Sequence, residues 1–151
     1  AHQKWLWWGA VGLWIGVILG FSGDQFSKQA TSPFLRELLL SILPAMSAET
    51  QQALHYVVRK GAHAFEYAVL AALVCQALRE SSNPWRPAGL ALALVFAVAV
   101  ADETHQASSA ARTGSAIDVS IDVAGGAAAL LLLAGLRKRH QVKQLQREAA
   151  G

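Results

Sequence analysis

Residues 90–100 read LALALVFAVAV, eleven positions without one polar side chain, and they run directly into ADETHQ at residues 101–106. An apolar run of that kind constrains the fold more than any other feature of the chain. It must be kept from water on every side, and in a lipid bilayer a helix can do this because it satisfies its own backbone hydrogen bonds. Four stretches come near the roughly 20 residues needed to cross about 30 Å of hydrocarbon: 5–21, 57–78, 87–103 and 117–136. The charged fraction of the whole chain, 15%, falls well short of the about 25% usual for soluble domains. The expected fold class is all-α: an integral membrane bundle of four transmembrane helices, forming one domain over residues 1–151.

The segments differ in what they carry. Lys4 before an apolar run suggests a signal peptide, but Trp5, Trp7, Trp8 and Trp14 suit a retained helix with aromatic residues at the membrane interface. In the fourth span, Gly125 and Gly126 lie among alanines, and such small residues let helix backbones approach closely. Between the first two spans, SPFLRELLLSILP places Ser32 as a helix N-cap, Pro33 in the first turn and Pro44 as the stop. Phe34, Leu35, Leu38, Leu39, Ile42 and Leu43 form one face, with Arg36, Glu37 and Ser41 opposite, so an interfacial amphipathic helix is expected in the first outer loop. Ser47, ahead of AETQQALHYVV, predicts that the second spanning helix begins outside the membrane.

Basic residues set the expected topology. Arg137, Lys138, Arg139, Lys143 and Arg147 follow the last span, and Arg79 and Arg86 flank the short turn between the second and third. With an even number of spans, the positive-inside rule places both termini and a basic tail, 137–151, in the cytoplasm of a multi-pass cell-membrane protein. The net charge of +3 is concentrated in that tail rather than interleaved with aromatics, a distribution that favours anionic lipid over nucleic acid. Cys75, the single cysteine, cannot form an intrachain disulfide.

With this orientation the remaining ionisable residues near span ends fall on the outer side. Arg59, His63 and Glu66 are spaced i, i+4, i+7; Asp102 and Gln106 are i, i+4; Ser115, Asp118 and Asp122 are i, i+3, i+7. Each set makes one stripe on its helix, and three stripes can converge into a pocket at the outer leaflet. Carboxylates at membrane depth cost about 2.5 to 3.5 kcal/mol on insertion scales, so they are usually paired and often functional. Structural roles compete at each position. His63 can bridge helices, Asp102, Glu103 and His105 can form a solvated helix end, and Asp118 can serve the positive end of the fourth helix. His55, Lys60 and Cys75 read as structural.

FSGDQ after the first span, RKGAHAFEYAVL in the second, ADETHQ closing the third and ARTGSAIDVSIDVAGG opening the fourth together resemble the VanZ-like membrane proteins, in order and over nearly the whole bundle. The resemblance implies a compact bundle of about four helices. It also implies an association with resistance to the glycopeptide teicoplanin, and kinship with enzymes that modify lipid head groups or lipid-linked sugars. The positions it carries over are Arg59, His63, Glu66, Tyr67, Asp102, Glu103, His105, Gln106, Arg112, Asp118 and Asp122; at the last, many relatives have Asn.

A lipid phosphate or pyrophosphate would sit where the stripes meet. Arg59 and Arg112 suit its charge, with Tyr67, Gln106 and Asp122 completing a substrate-binding set. His63 is the candidate base or nucleophile, oriented by Glu66, and Asp102, Glu103, His105 and Asp118 complete the candidate catalytic set. Asp102, Glu103, Asp118 and Asp122 offer oxygen ligands for a hard divalent cation, although their spacing matches no recognised metal motif. The expected activity is phosphoester transfer on a membrane lipid or lipid-linked envelope precursor at the extracytoplasmic face. The rival is a non-catalytic protein that holds such a lipid or a glycopeptide antibiotic.

Overall fold

The computed structural model of the protein describes residues 2–21, 37–38, 41–42, 47–79, 85–107 and 115–149. Among these there are four long helices and no strand: α1 (His2–Phe21), α2 (Ala48–Ala77), α3 (Arg86–Ala107) and α4 (Ala116–Ala149). α2 is the hub, packing against all three others and most extensively against α4. The Ser47 start signal holds: its backbone is extended (φ −65°, ψ 155°) and its hydroxyl accepts from the Thr50 amide at 3.3 Å.

The core runs along α2 through Leu70, Ala71, Val74 and Cys75. It is closed by Ala91, Val95, Val98 and Ala99 of α3, by Leu130 of α4, and by Val11 and Ile18 of α1. Alanines stand among its Val, Leu and Ile side chains, and the two glycines of α4 bring the helices closer still. A Cβ added at Gly125 would run into the Ala64 carbonyl and lie 2.8 Å from Ala64 Cα, backbone against backbone. One added at Gly126 would meet Val95 Cγ1 at 3.2 Å and Ala71 Cβ at 3.6 Å. Three helices therefore close on this glycine pair, as small residues in a lipid-embedded interface allow.

Among the described residues two helices, not the expected four, are long and apolar enough to cross a membrane by length and composition: α3 and α4. α2 falls short because Arg59, Lys60, His63 and Glu66 lie within its candidate span. The two that qualify are not covered by protein. Only 39% of the apolar stretch of α3 and 17% of that of α4 is buried, whereas the core helix of a soluble protein is mostly enclosed. Phe96, Leu131 and Leu132 stand in the open, and a continuous apolar surface of this kind calls for lipid or a partner.

The basic tail is no separate segment. α4 continues unbroken through it to Ala149, exposed along its last turns. Of the expected interfacial helix, residues 37–38 and 41–42 are helical and exposed; Ser32, Pro33 and the rest of that segment lie outside the described residues, as does FSGDQ beyond Phe21.

Candidate functional site

The polar stripes meet where the first half of α2, the end of α3 and the start of α4 come together. α2 contributes Arg59, half-buried, then His63 and Glu66 with side chains 21% and 24% exposed, then Tyr67, wholly buried. α3 contributes Asp102, Glu103 and Gln106, all buried, and α4 contributes Asp118 and the buried Asp122. His105 is exposed. Arg112 lies outside the described residues.

Several of these groups are committed to holding helices together. Lys60 of α2 forms a hydrogen-bonded ion pair with Asp118 of α4, and both side chains are mostly shielded. Glu103 accepts from the Ser115 amide at 2.7 Å, tying the end of α3 to the start of α4. A carboxylate at the end of a helix opposes that helix's dipole, but here it faces the exposed amides at the N-terminus of the next, which welcome it. The Ser115 hydroxyl in turn accepts from the Ile117 amide at 3.2 Å, and on α3 the Gln106 amide donates to Asp102 Oδ2 at 3.0 Å.

Others remain uncommitted. His63 Nδ1 is 4.0 Å from Glu66 Oε2 and 3.9 Å from Asp122 Oδ1, poised between two carboxylates and beyond hydrogen-bonding distance of both. Among the described residues, four buried side-chain oxygens lack a hydrogen-bond partner: Tyr67 Oη, Asp102 Oδ1 and both carboxylate oxygens of Asp122. Buried polar atoms are nearly always satisfied, so such a group marks stored strain or a place for something else. Asp102 lies near enough to His63, Glu66, Tyr67 and Asp122 for its charge to act on each.

The four acids considered for a divalent cation do not form a ligand set. Among the described residues no three His, Cys, Asp or Glu side chains are grouped so as to hold a metal ion. The geometry gives the reason: Asp118 is spent on Lys60 and Glu103 on the Ser115 amide.

Two contributors carry little signal in the sequence. Lys60 lies beside Arg59 but off its stripe, and its partner depends on how α2 is rotated against α4. Trp14 reads as one of an interfacial set, yet it is half-buried and its Nε1 donates to the Glu66 carbonyl at 2.9 Å, pinning α1 to α2 at the level of the site.

No curated protein and no solved structure matches the chain. A family model does: VanZ/LLP1 matches residues 7–137, a stretch that includes every helix-borne residue of the cluster. With a match over most of its length, and with polar groups gathered where the VanZ-like motifs meet, the chain belongs to the VanZ/LLP1 family.

Proposed function

We propose that the protein crosses the membrane four times with both termini in the cytoplasm. Its polar cluster then faces outward, where it takes a lipid head group or lipid-linked envelope precursor and transfers or cleaves its phosphoester. Membership of the VanZ/LLP1 family links the chain to teicoplanin-type resistance, and a change in envelope lipid chemistry is one route to such resistance. The observation that carries this reading is the pair of buried carboxylates, Asp102 and Asp122, with unsatisfied oxygens beside His63 in a chain this apolar. Leucine at those positions would pack and insert more easily.

Helix geometry supports this placement. From Asp118 to Arg137, α4 rises about 28 Å, close to the roughly 30 Å of a hydrocarbon core. The acidic cluster and the basic end of α4 therefore suit opposite interfaces. In the mechanism, Arg59 holds the phosphate at the rim and His63 takes the proton of the attacking hydroxyl; as the new P–O bond forms the old one breaks, and the imidazolium returns the proton to the leaving alkoxide. Glu66 and Asp122 close on the imidazole from about 4 Å as the substrate seats; catalytic hydrogen bonds are often long before substrate binds.

A second reading has its own support. Lys60 with Asp118, Glu103 with the Ser115 amide and Gln106 with Asp102 Oδ2 are paired, as a binding protein that only shields or holds a lipid would need. Purified protein and its His63→Gln variant, incubated in micelles with phospholipids and polyprenyl-linked precursors, separate the two. For an enzyme, mass spectrometry finds a product whose formation falls about 10²- to 10⁴-fold in the variant, while the melting temperature stays put and chelators report on metal dependence. Lipid retained by both proteins with no turnover in either moves the assignment to the binding reading. Orientation is checked separately: a green fluorescent protein fused after residue 151 should glow, and a dark fusion would overturn the topology.

A further inference from the structure

The deep part of the cluster has a definite chemical demand. Glu66, Asp102, Glu103, Asp118 and Asp122 share it with Lys60 and His63, with Arg59 at its rim, and Lys60 is already bound to Asp118. Acid is in excess. Three of the four unsatisfied oxygens, Asp102 Oδ1 and Asp122 Oδ1 and Oδ2, only accept hydrogen bonds when ionised, and the fourth, Tyr67 Oη, can do either.

A phosphate brings acceptors and negative charge, so it is wrong for this depth on both counts. Water brings as many acceptors as donors and no charge. A quaternary ammonium brings charge without N–H donors and would leave the carboxylate oxygens as they are. A primary ammonium brings three donors, no acceptor and one positive charge, which is the complement of Asp102, Asp122 and Tyr67. A divalent metal lacks a ligand set here.

We infer that the site of Tyr67, Asp102 and Asp122 binds a primary ammonium group, and that the head group taken by the protein is zwitterionic, with its amine at Asp102 and Asp122 and its phosphate at Arg59. This rests on the head-group reading above and names the class of lipid. The ammonium chemistry is shared by an aminophospholipid and a soluble amine, and the test separates these sources.

Delipidated full-length protein in maltoside micelles is offered an equimolar mixture of phosphatidylethanolamine, phosphatidylcholine, phosphatidylglycerol and N-acetyl-phosphatidylethanolamine, and bound lipid is read by native mass spectrometry. The expected result is phosphatidylethanolamine in excess of each of the others by about tenfold, the ratio that one charge-assisted hydrogen bond supplies. Asp122→Asn, which keeps the shape and removes the charge, should collapse that ratio toward one, and Tyr67→Phe should reduce it. Either variant decides the matter if the other does not fold. Arg59→Gln should weaken all four lipids without changing the ratio.

Millimolar O-phosphoethanolamine in the same mixture identifies the source. Displacement of the lipid assigns the site to soluble amines as well, and no displacement assigns it to the lipid. Equal retention of phosphatidylethanolamine and its N-acetyl form, or preference for phosphatidylglycerol, overturns the ammonium assignment and leaves the head-group reading standing. Failure to retain any lipid overturns the head-group reading itself.

Discussion

Around Leu70, Val74, Ala91, Val95 and Ala99 the helices meet through small and aliphatic side chains with almost no exposed surface. Two turns along the same helices, around His63, Tyr67, Asp102 and Asp122, they meet through polar side chains, four oxygens of which have no hydrogen-bond partner. The backbone geometry is continuous between the two regions, so the difference lies in side-chain chemistry alone. One region gains from every contact it makes. The other carries desolvated groups that do nothing for cohesion and is held by its neighbours: the Lys60–Asp118 pair, the Glu103 link to Ser115 and the glycine contact one turn away. Sites that retain a cost to stability are where proteins keep function.

Four single substitutions and one double variant break or sharpen that contrast, each read as thermal unfolding of delipidated protein in micelles by tryptophan fluorescence. Gly125→Leu acts on the seam both regions share. With Ala64 backbone where its Cβ must go, α2 and α4 have to separate, and the loss should exceed the about 1–3 kcal/mol of ordinary overpacking; a folded variant of normal melting temperature would show that the seam is not rigid. Lys60→Met strands Asp118 in a mostly shielded place and should cost about 3 kcal/mol. Adding Asp118→Asn should then restore stability rather than lower it further.

Leu70→Ala, in the apolar region, should lose about 2 to 3 kcal/mol as a cavity opens at a fully buried position. Asp122→Asn should have the opposite sign, raising stability by about 1 kcal/mol because it removes a buried charge without hydrogen-bond partners. If it destabilises instead, Asp122 belongs to the cohesive part of the bundle and the contrast between the two regions fails.

The sequence carries the stripes of this site because helical spacing is local information. His63 and Glu66 on α2, Asp102 and Gln106 on α3, and Asp118 and Asp122 on α4 were bound to share faces once those segments were helical, and the VanZ-like motifs fall on the same positions. Pairings across helices are another matter. Whether Asp118 would serve the start of α4 or take Lys60, and whether Glu103 would be solvated or reach Ser115, depends on rotations of one helix about another, and nothing in the spacing of residues encodes those.

Polarity also misleads in a consistent way at both ends of the scale. RKRHQVKQLQR reads as a tail because it is charged, yet Arg, Lys, Gln and Leu are good helix formers and α4 continues through them to Ala149. The stretch counted as a second span holds its apolar residues in its second half, and its first half belongs to the site. Trp14 shows the limit of reading by residue type, since its indole is spent on a carbonyl of α2 rather than on the interface.

Gly125 has one more implication. Most distances across a protein site are set by side chains, which change rotamer, breathe with temperature and yield to a ligand. Where Gly125 meets Ala64 the distance is set by main chain against main chain, and His63 and Asp122 sit within a turn of that contact on the two helices concerned. The separation of the two backbones there is thus a fixed calliper, within which only side-chain rotation brings His63 and Asp122 together.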